Sequence, residues 1–137
     1  MPEPSAVINR LRDVTNKHDL DAVVACFSDD YRLEMPIHPG RDFVGSDQVR
    51  RNWTQIFAAV PDIEVDVIRT ATAGDEVWSE WEMRGTRVDG EPHLMRGVFI
   101  AIVDGDRIVS GRFYLEPVEA DPDGMDTAVR RLVGEQV

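Results

Sequence analysis

Apolar and polar residues alternate along the second half of the chain, and this pattern predicts three antiparallel strands. We expect them at 77–88, 93–103 and 108–116, with a turn at Asp89-Gly90 because an Asp-Gly pair between alternating runs is a strong hairpin signal. Successive side chains of a strand point to opposite faces, so parity sorts them into two sets. The predicted inner face carries Val77, Ser79, Trp81, Met83, Met95, Gly97, Phe99, Ala101, Val109, Gly111, Phe113 and Leu115.

The opposite face of these strands is mostly charged, except on the middle strand, where Val98, Ile100 and Ile102 form an apolar strip. A strand that is apolar on both faces is usually covered on both sides. Charges of both signs surround the strip, and a two-fold axis can place each sign against its opposite on a second copy. We therefore expect a homodimer through this face, with the strip surrounded by Arg84, Arg96, Arg112, Glu80 and Glu116.

Helical periodicity dominates the first half of the chain. Asp19 and Ser46 are the predicted N-caps of the second and third helices. The third helix carries Trp53 and Phe57 on its apolar stripe. The predicted order is helix 5–17, helix 20–27, a break at 28–30, strand 31–35, loop 37–45, helix 47–59, strand 63–72, the three strands above, and a short helix at 125–133.

Helices at the front and strands at the back predict an α+β fold. The simplest closure is a cone-shaped, curved antiparallel sheet wrapped around the three N-terminal helices, with Trp53, Phe57, Trp81, Phe99 and Phe113 turned inward. Such a cone leaves a cavity between helix and sheet, which is a common position for ligand pockets. The length of 137 residues predicts a single domain over 1–137, with its core at about 5–117 and an acidic extension at 118–137.

Composition narrows the range of partners. The formal net charge of −11 disfavours nucleic acids and anionic membranes as partners. No apolar run is long enough to span a membrane, and no signal peptide is recognisable, so we expect a cytoplasmic protein. The three histidines lack metal-ligand spacing, and there is no glycine-rich phosphate loop. The sequence therefore predicts no metal and no cofactor.

Several short segments together resemble the nuclear-transport-factor-2-like superfamily, and within it the SnoaL-like polyketide cyclases. The segments are Asp19–Ala22, Cys26–Asp30, Met35-Pro36, Gly45 before the Trp53 helix, Pro61-Asp62, and Val103–Val109. The resemblance covers about residues 5–117. It implies a cone-shaped α+β barrel, a pocket for a small apolar molecule and frequent homodimers.

The resemblance also implies where catalytic groups belong. Relatives keep a catalytic aspartate on the final strand, and Phe113 occupies that place here. Trp81 and Met83 occupy the stretch where epoxide hydrolases carry an Arg-x-Asp pair. Arg32 and Glu34 match strand positions that contribute polar groups to the epoxide-hydrolase pocket. An aspartate-based reaction of the usual kind is therefore not expected.

Glu34 and His93 are the predicted catalytic residues. A carboxylate in an apolar pocket has a raised pKa and can act as a general base near neutral pH. The alternative is an exposed Glu34 on an edge strand, with Leu33 and Met35 facing the core. His93 shares parity with Met95 and can shuttle protons at the pocket mouth, or else it faces solvent at the start of its strand. The residues predicted to contact a ligand are Arg32, His38, Trp53, Phe57, Trp81, Met83, Phe99 and Phe113.

Two interpretations of function remain open at this point. The first is a cofactor-free cyclase, isomerase or dehydratase that acts on a polyketide, steroid or terpenoid type of molecule by general acid–base chemistry. The second is a non-catalytic module for ligand binding or dimerisation. The first needs an ionisable group on the pocket, while the apolar inner face is compatible with the second.

Overall fold

The helices and strands follow in an order close to the predicted one, in a computed structural model that describes residues 3–120 and 123–136. They are α1 Pro4–Asn16, α2 Leu20–Ala25, β1 Phe27–Glu34, a 3-10 turn Pro39–Arg41, β2 Phe43–Val44, α3 Ser46–Ala59, β3 Glu64–Ala73, β4 Glu76–Thr86, β5 Pro92–Asp104, β6 Arg107–Phe113, β7 Glu116–Pro117 and α4 Met125–Leu132. The predicted α+β class is confirmed.

The strands form one curved sheet in the order β2-β1-β6-β5-β4-β3, and β7 pairs with β5. The sheet is mostly antiparallel, as predicted, with one parallel pair that the sequence did not indicate: β1 runs parallel to β6. The other recorded pairs are antiparallel. Alternation within a strand identifies its faces but carries no information about the direction of its partner, which explains why this pair was missed.

The inner face of the sheet is largely the predicted one. Val77, Ser79, Trp81 and Met83 of β4 are buried, as are Phe99 and Ala101 of β5. On β6, Ile108 is buried and not Val109, because the register of β5 and β6 shifts between Ile102 and Val103. A bulge of this kind moves one residue to the other face.

Three predicted boundaries are wrong. The segment 28–30 belongs to β1, which begins at Phe27, so α2 is shorter than predicted. The N-cap of α3 is Gly45 with φ of 106°, and Ser46 is the first residue of the helix. The last predicted strand splits into β6 and β7 around Leu115.

Gly97 lies opposite this split. It has φ of 155°, and a side chain there would place its Cβ 2.1 Å from the Tyr114 carbonyl oxygen. Only glycine permits so close an approach of two backbones. The Tyr114 N–H donates to the Val98 carbonyl at 2.8 Å, which fixes the crossing of the chain over β5.

The helices α1, α2 and α3 cover the inner face. α1 packs on β3, β4 and β5, while α3 packs on α2 and β1. Trp81 and Phe99 are buried, and Trp53, Phe57 and Phe113 pack against the core, as predicted. α4 confirms the predicted short helix, but Met125 and Leu132 on it are 77% and 84% exposed. None of the described helices is both long and apolar enough to cross a membrane.

Candidate functional site

A cavity of about 600 Å³ lies between the helices α1 and α3 and the inner face of the sheet. Its volume is in the range of typical small-molecule pockets. Most of its lining is apolar, and aromatic rings from β1, α3, β4, β5 and β6 are prominent: Tyr31, Trp53, Trp81, Phe99 and Phe113. The predicted position of a pocket between helix and sheet therefore agrees with the structure.

Most of the predicted ligand-contacting residues line this cavity. Trp53, Trp81, Met83, Phe99 and Phe113 do so. Phe57 lies beside the cavity: its ring stacks on His18 at a centroid distance of 4.8 Å and contacts the Trp53 ring at 5.4 Å. Phe57 thus supports Trp53 from behind and is not itself among the residues recorded on the cavity wall.

Glu34 and Arg32 lie on the other face of β1. Register pairs Glu34 with Arg112 of β6, and the two side chains form an ion pair at 3.2 Å on the protein surface. Arg32 is also exposed. The predicted pocket-facing orientation of both residues is wrong, because Tyr31 and Leu33, of opposite parity, are the β1 residues that point to the core.

His38 lies in the loop after β1, close to β7. Its Nε2 is 2.6 Å from Glu116 Oε1, and both side chains are partly exposed. His38 is not among the residues recorded on the cavity wall. The contact joins the segment that carries Gly40, Arg41 and Asp42, which do line the cavity, to the edge of the sheet.

His93 lines the cavity, as the parity of β5 predicted. Burial lowers the pKa of its imidazole below the ordinary value of 6.5, and the nearby positive charge of Arg87 lowers this pKa further. The side chain is half-buried and pairs in register with Gly85 of β4. A neutral imidazole at neutral pH can accept a proton.

Trp81 is held in the cavity wall by a buried serine. The Trp81 indole N–H donates to Ser79 Oγ at 2.8 Å, and the Ser79 hydroxyl donates to the Phe99 carbonyl at 2.9 Å. Ser79 and Trp81 are 1% and 4% exposed. This chain of hydrogen bonds joins β4 to β5 beneath the cavity.

Several polar residues on the cavity were not predicted as site residues. Gln48 and Asn52 are one helical turn apart on α3, and the Gln48 amide donates to Asn52 Oδ1 at 2.8 Å. Asp42 accepts from the Met35 N–H at 2.6 Å.

Tyr31 shares parity with Leu33, and this was the available signal for its inward orientation. Burial raises the pKa of the Tyr31 hydroxyl, which therefore stays protonated.

Among the described residues, no group of three or more His, Cys, Asp and Glu side chains is arranged to hold a metal ion. The ionisable side chains recorded on the cavity wall are Tyr31, Arg41, Asp42 and His93.

Solved structures with the same fold support the architecture. IdmH from Streptomyces antibioticus, described as a candidate polyketide cyclase, is 22% identical with a TM-score of 0.73, over 84% of this chain and 93% of that one. A loop-truncated variant of IdmH is 25% identical with a TM-score of 0.71, over 83% and 93%. A candidate SnoaL-like polyketide cyclase from Shewanella denitrificans is 11% identical with a TM-score of 0.69, over 85% and 92%.

No curated protein sequence matches the chain significantly. The family model described as SnoaL-like domain matches residues 8–111. This match runs from within α1 to within β6 and includes most of the residues on the cavity wall, but not Phe113 and Leu115. The chain therefore belongs to the SnoaL-like domain family.

Proposed function

We propose that this protein binds a small, mainly apolar molecule of the polyketide, steroid or terpenoid type in the cavity between the helices and the sheet. The observation that carries the proposal is the cavity itself, which combines about 600 Å³ with a mostly apolar lining and a few polar groups. Pockets of this composition bind drug-sized ligands, whose orientation the few polar groups then fix.

The chemistry we propose for this site is cofactor-free proton transfer, as in a cyclase, isomerase or dehydratase. His93 is the residue best suited to it, because it lines the cavity and its lowered pKa keeps the imidazole neutral. Phe113, at the position of the relatives' aspartate, cannot accept a proton. Glu34 has no access to the cavity in this arrangement, since it pairs with Arg112 outside.

A second candidate function is ligand binding without catalysis. The apolar side chain of Phe113 at the family's catalytic position favours it. The two functions differ in what His93 does. If the protein is an enzyme, His93→Gln lowers kcat by about 10²–10⁴-fold, the usual contribution of a general base. A binding module has no turnover with any substrate of a broad panel.

Ligand binding is tested by filling the cavity. Met95 lines it, whereas its neighbour Leu94 is of opposite parity and is not recorded on its wall. Met95→Trp should weaken the binding of naphthalene-sized and steroid-sized probes by about tenfold or more, or about 1.4 kcal/mol. Leu94→Trp is the matched control and should leave the dissociation constants unchanged. Equal losses in both variants, or no binding by wild type, contradict the proposal.

We also propose a homodimer through the outer face of β4, β5 and β6. Trp78 pairs in register with Ile100 and is 48% exposed, so it extends the apolar strip. The surrounding charges are largely paired within the chain, as Arg96 with Glu82 and Arg112 with Glu34. Ile100 is only 9% exposed, so Trp78 and the half-buried Val98 and Ile102 must supply the apolar surface for association.

Analytical ultracentrifugation tests the dimer. Wild type should sediment as a dimer at micromolar concentration, and Ile102→Arg as a monomer. The control is Ile68→Arg, which charges an apolar residue that is 52% exposed on the outer strand β3. A monomeric wild type contradicts this proposal and leaves the ligand-binding proposal untouched.

A further inference from the structure

A buried hydroxyl group opens on the cavity without a hydrogen-bond partner. Tyr31 is 2% exposed, and among the described residues the structure records no hydrogen bond for its hydroxyl. Among the described residues, Ser28 Oγ is the side-chain polar atom that is both fully enclosed and without a hydrogen-bond partner. The Tyr31 hydroxyl oxygen does not belong to this class although it also has no partner. The Tyr31 oxygen therefore retains access to open space, and the space that Tyr31 lines is the cavity.

The surroundings hold this hydroxyl in one place. The Tyr31 ring packs edge-on against Phe27 and Phe43, at centroid distances of 4.7 and 5.9 Å. On the neighbouring strand, a Cβ at Gly111 would lie 2.7 Å from the hydroxyl oxygen and 2.5 Å from Phe99 Cε1. The glycine thus leaves room for the Tyr31 hydroxyl beside the Phe99 ring.

The other buried donors around the cavity are already used. The Thr15 hydroxyl donates to the Leu11 carbonyl at 2.6 Å, and the Trp81 indole donates to Ser79. A buried polar group without a partner costs about 1–3 kcal/mol. Trp53 and Asn52 also line the cavity with donors for which no hydrogen bond is recorded, but both side chains are only half-buried. Among the described residues, the Tyr31 hydroxyl is thus the deeply buried donor on the cavity that a ligand can satisfy.

The chemistry near the hydroxyl restricts the ligand group that it can bind. Gly111 and the Phe99 ring lie beside the hydroxyl, and the rings of Phe27 and Phe43 pack on the Tyr31 ring; none of these four neighbours carries a charge. A carboxylate or phosphate bound against these uncharged neighbours would lose its hydration in return for a single hydrogen bond from the Tyr31 hydroxyl, which is unfavourable. An alcohol would bring a donor of its own that needs an acceptor. A neutral carbonyl oxygen accepts one hydrogen bond and leaves no donor unpaired.

We propose that Tyr31 is a positioning residue that donates a hydrogen bond to a neutral ketone or ester carbonyl of the ligand bound in this cavity. The proposal rests on the proposed ligand-binding function. Burial raises the pKa of the Tyr31 hydroxyl, which keeps it in the donating form at neutral pH. Six residue steps along β5 separate Phe99, beside the Tyr31 hydroxyl, from His93, which is at most roughly 20 Å of strand.

Two probes of the same shape test this directly. In 2-acetylnaphthalene the carbonyl accepts a hydrogen bond, whereas 2-isopropenylnaphthalene carries a CH₂ group in place of that oxygen. Tyr31→Phe should weaken binding of the ketone by about three- to tenfold, which corresponds to one ordinary hydrogen bond. Binding of the hydrocarbon should change by less than about twofold. Tyr114→Phe alters the chain's other tyrosine, which is not recorded on the cavity wall, and should change neither affinity.

The carbonyl stretch of the bound, ¹³C-labelled ketone gives a second readout. It should lie at lower wavenumber in wild type and Tyr114→Phe than in Tyr31→Phe. Replacing tyrosine by the more acidic 3-fluorotyrosine, which keeps the hydroxyl and adds only one fluorine atom to the ring, should lower it further. An unchanged stretch, or equal losses for both probes in Tyr31→Phe, overturns the role of Tyr31 while ligand binding stands. If wild type binds neither probe, the proposed function fails and this proposal fails with it.

Discussion

Ser79 offers the sharpest test of how the cavity wall is held in place. Ser79→Ala removes the acceptor of the Trp81 indole N–H and the donor to the Phe99 carbonyl. Both side chains are almost fully buried, so water cannot replace the serine. The orphaned indole N–H costs about 1–3 kcal/mol, and the lost bond to Phe99 about 0.5–1.5 kcal/mol more. We expect the free energy of unfolding to fall by about 2–4 kcal/mol in total.

A double-mutant cycle separates the two contributions. In a Trp81→Phe background there is no indole N–H to orphan, so Ser79→Ala should cost only the bond to the Phe99 carbonyl, about 0.5–1.5 kcal/mol. The coupling between Ser79 and Trp81 is then about 1–3 kcal/mol. Ser110→Ala is a control, since the structure records no side-chain hydrogen bond for this half-buried serine of β6 among the described residues.

The assay is urea denaturation followed by far-ultraviolet circular dichroism, because tryptophan fluorescence changes with the Trp81 substitution itself. The dependence of the free energy on urea should stay the same in all variants, which would indicate unchanged exposure on unfolding. If Ser79→Ala costs the same in both backgrounds within about 0.5 kcal/mol, the hydrogen bond to Trp81 contributes nothing and our reasoning is refuted.

Three further predictions concern other parts of the molecule. Gly97→Ala should lower the free energy of unfolding by about 3 kcal/mol or more in urea denaturation, because the new Cβ would collide with the backbone of Tyr114 and Leu115. Gly90→Ala, with φ of 88° but open space around it, should lower it by only about 1 kcal/mol. Glu34→Gln should leave probe binding unchanged and cost under about 0.5 kcal/mol, since its ion pair with Arg112 is exposed; a large loss of binding would contradict the placement of Glu34. The NMR titration midpoint of His93 should lie below 6.5. The free energy of unfolding should fall as the pH drops below 6.5, because the His93 imidazole binds a proton more readily in the unfolded chain than in the folded one. This fall should be smaller in His93→Gln.

Parity along the strands predicted most of the cavity wall without any knowledge of the fold. Trp81, Met83, Phe99 and Phe113 were placed correctly because alternation along each strand assigns them to the face that the helices cover. Parity fails at Val109, since a bulge adds one residue and no feature of the local sequence marks it. It also cannot show that β1 pairs with β6, because that contact joins distant parts of the chain.

Glu34 shows a different limit. Its parity opposes that of Leu33 and Met35, and this alone indicated the surface; the resemblance to epoxide hydrolases suggested the cavity instead. The structure follows parity. Tyr31 was overlooked although it shares the parity of Leu33, because a tyrosine in a strand is ordinarily a packing residue. Its free hydroxyl depends on Gly111 and Phe99, which only the tertiary structure brings beside it.

The parallel contact between β1 and β6 also has a consequence for folding during synthesis. Glu34 and Arg112 lie side by side but are 78 residues apart in sequence. At about 5–20 residues per second, β6 is made about 4–16 s after β1. Throughout that interval the two-residue strand β2 is the only one of β1's two neighbouring strands that has been made. One long edge of β1 therefore stays unpaired until β6 emerges, and long-range pairing of this kind makes the final closure slow.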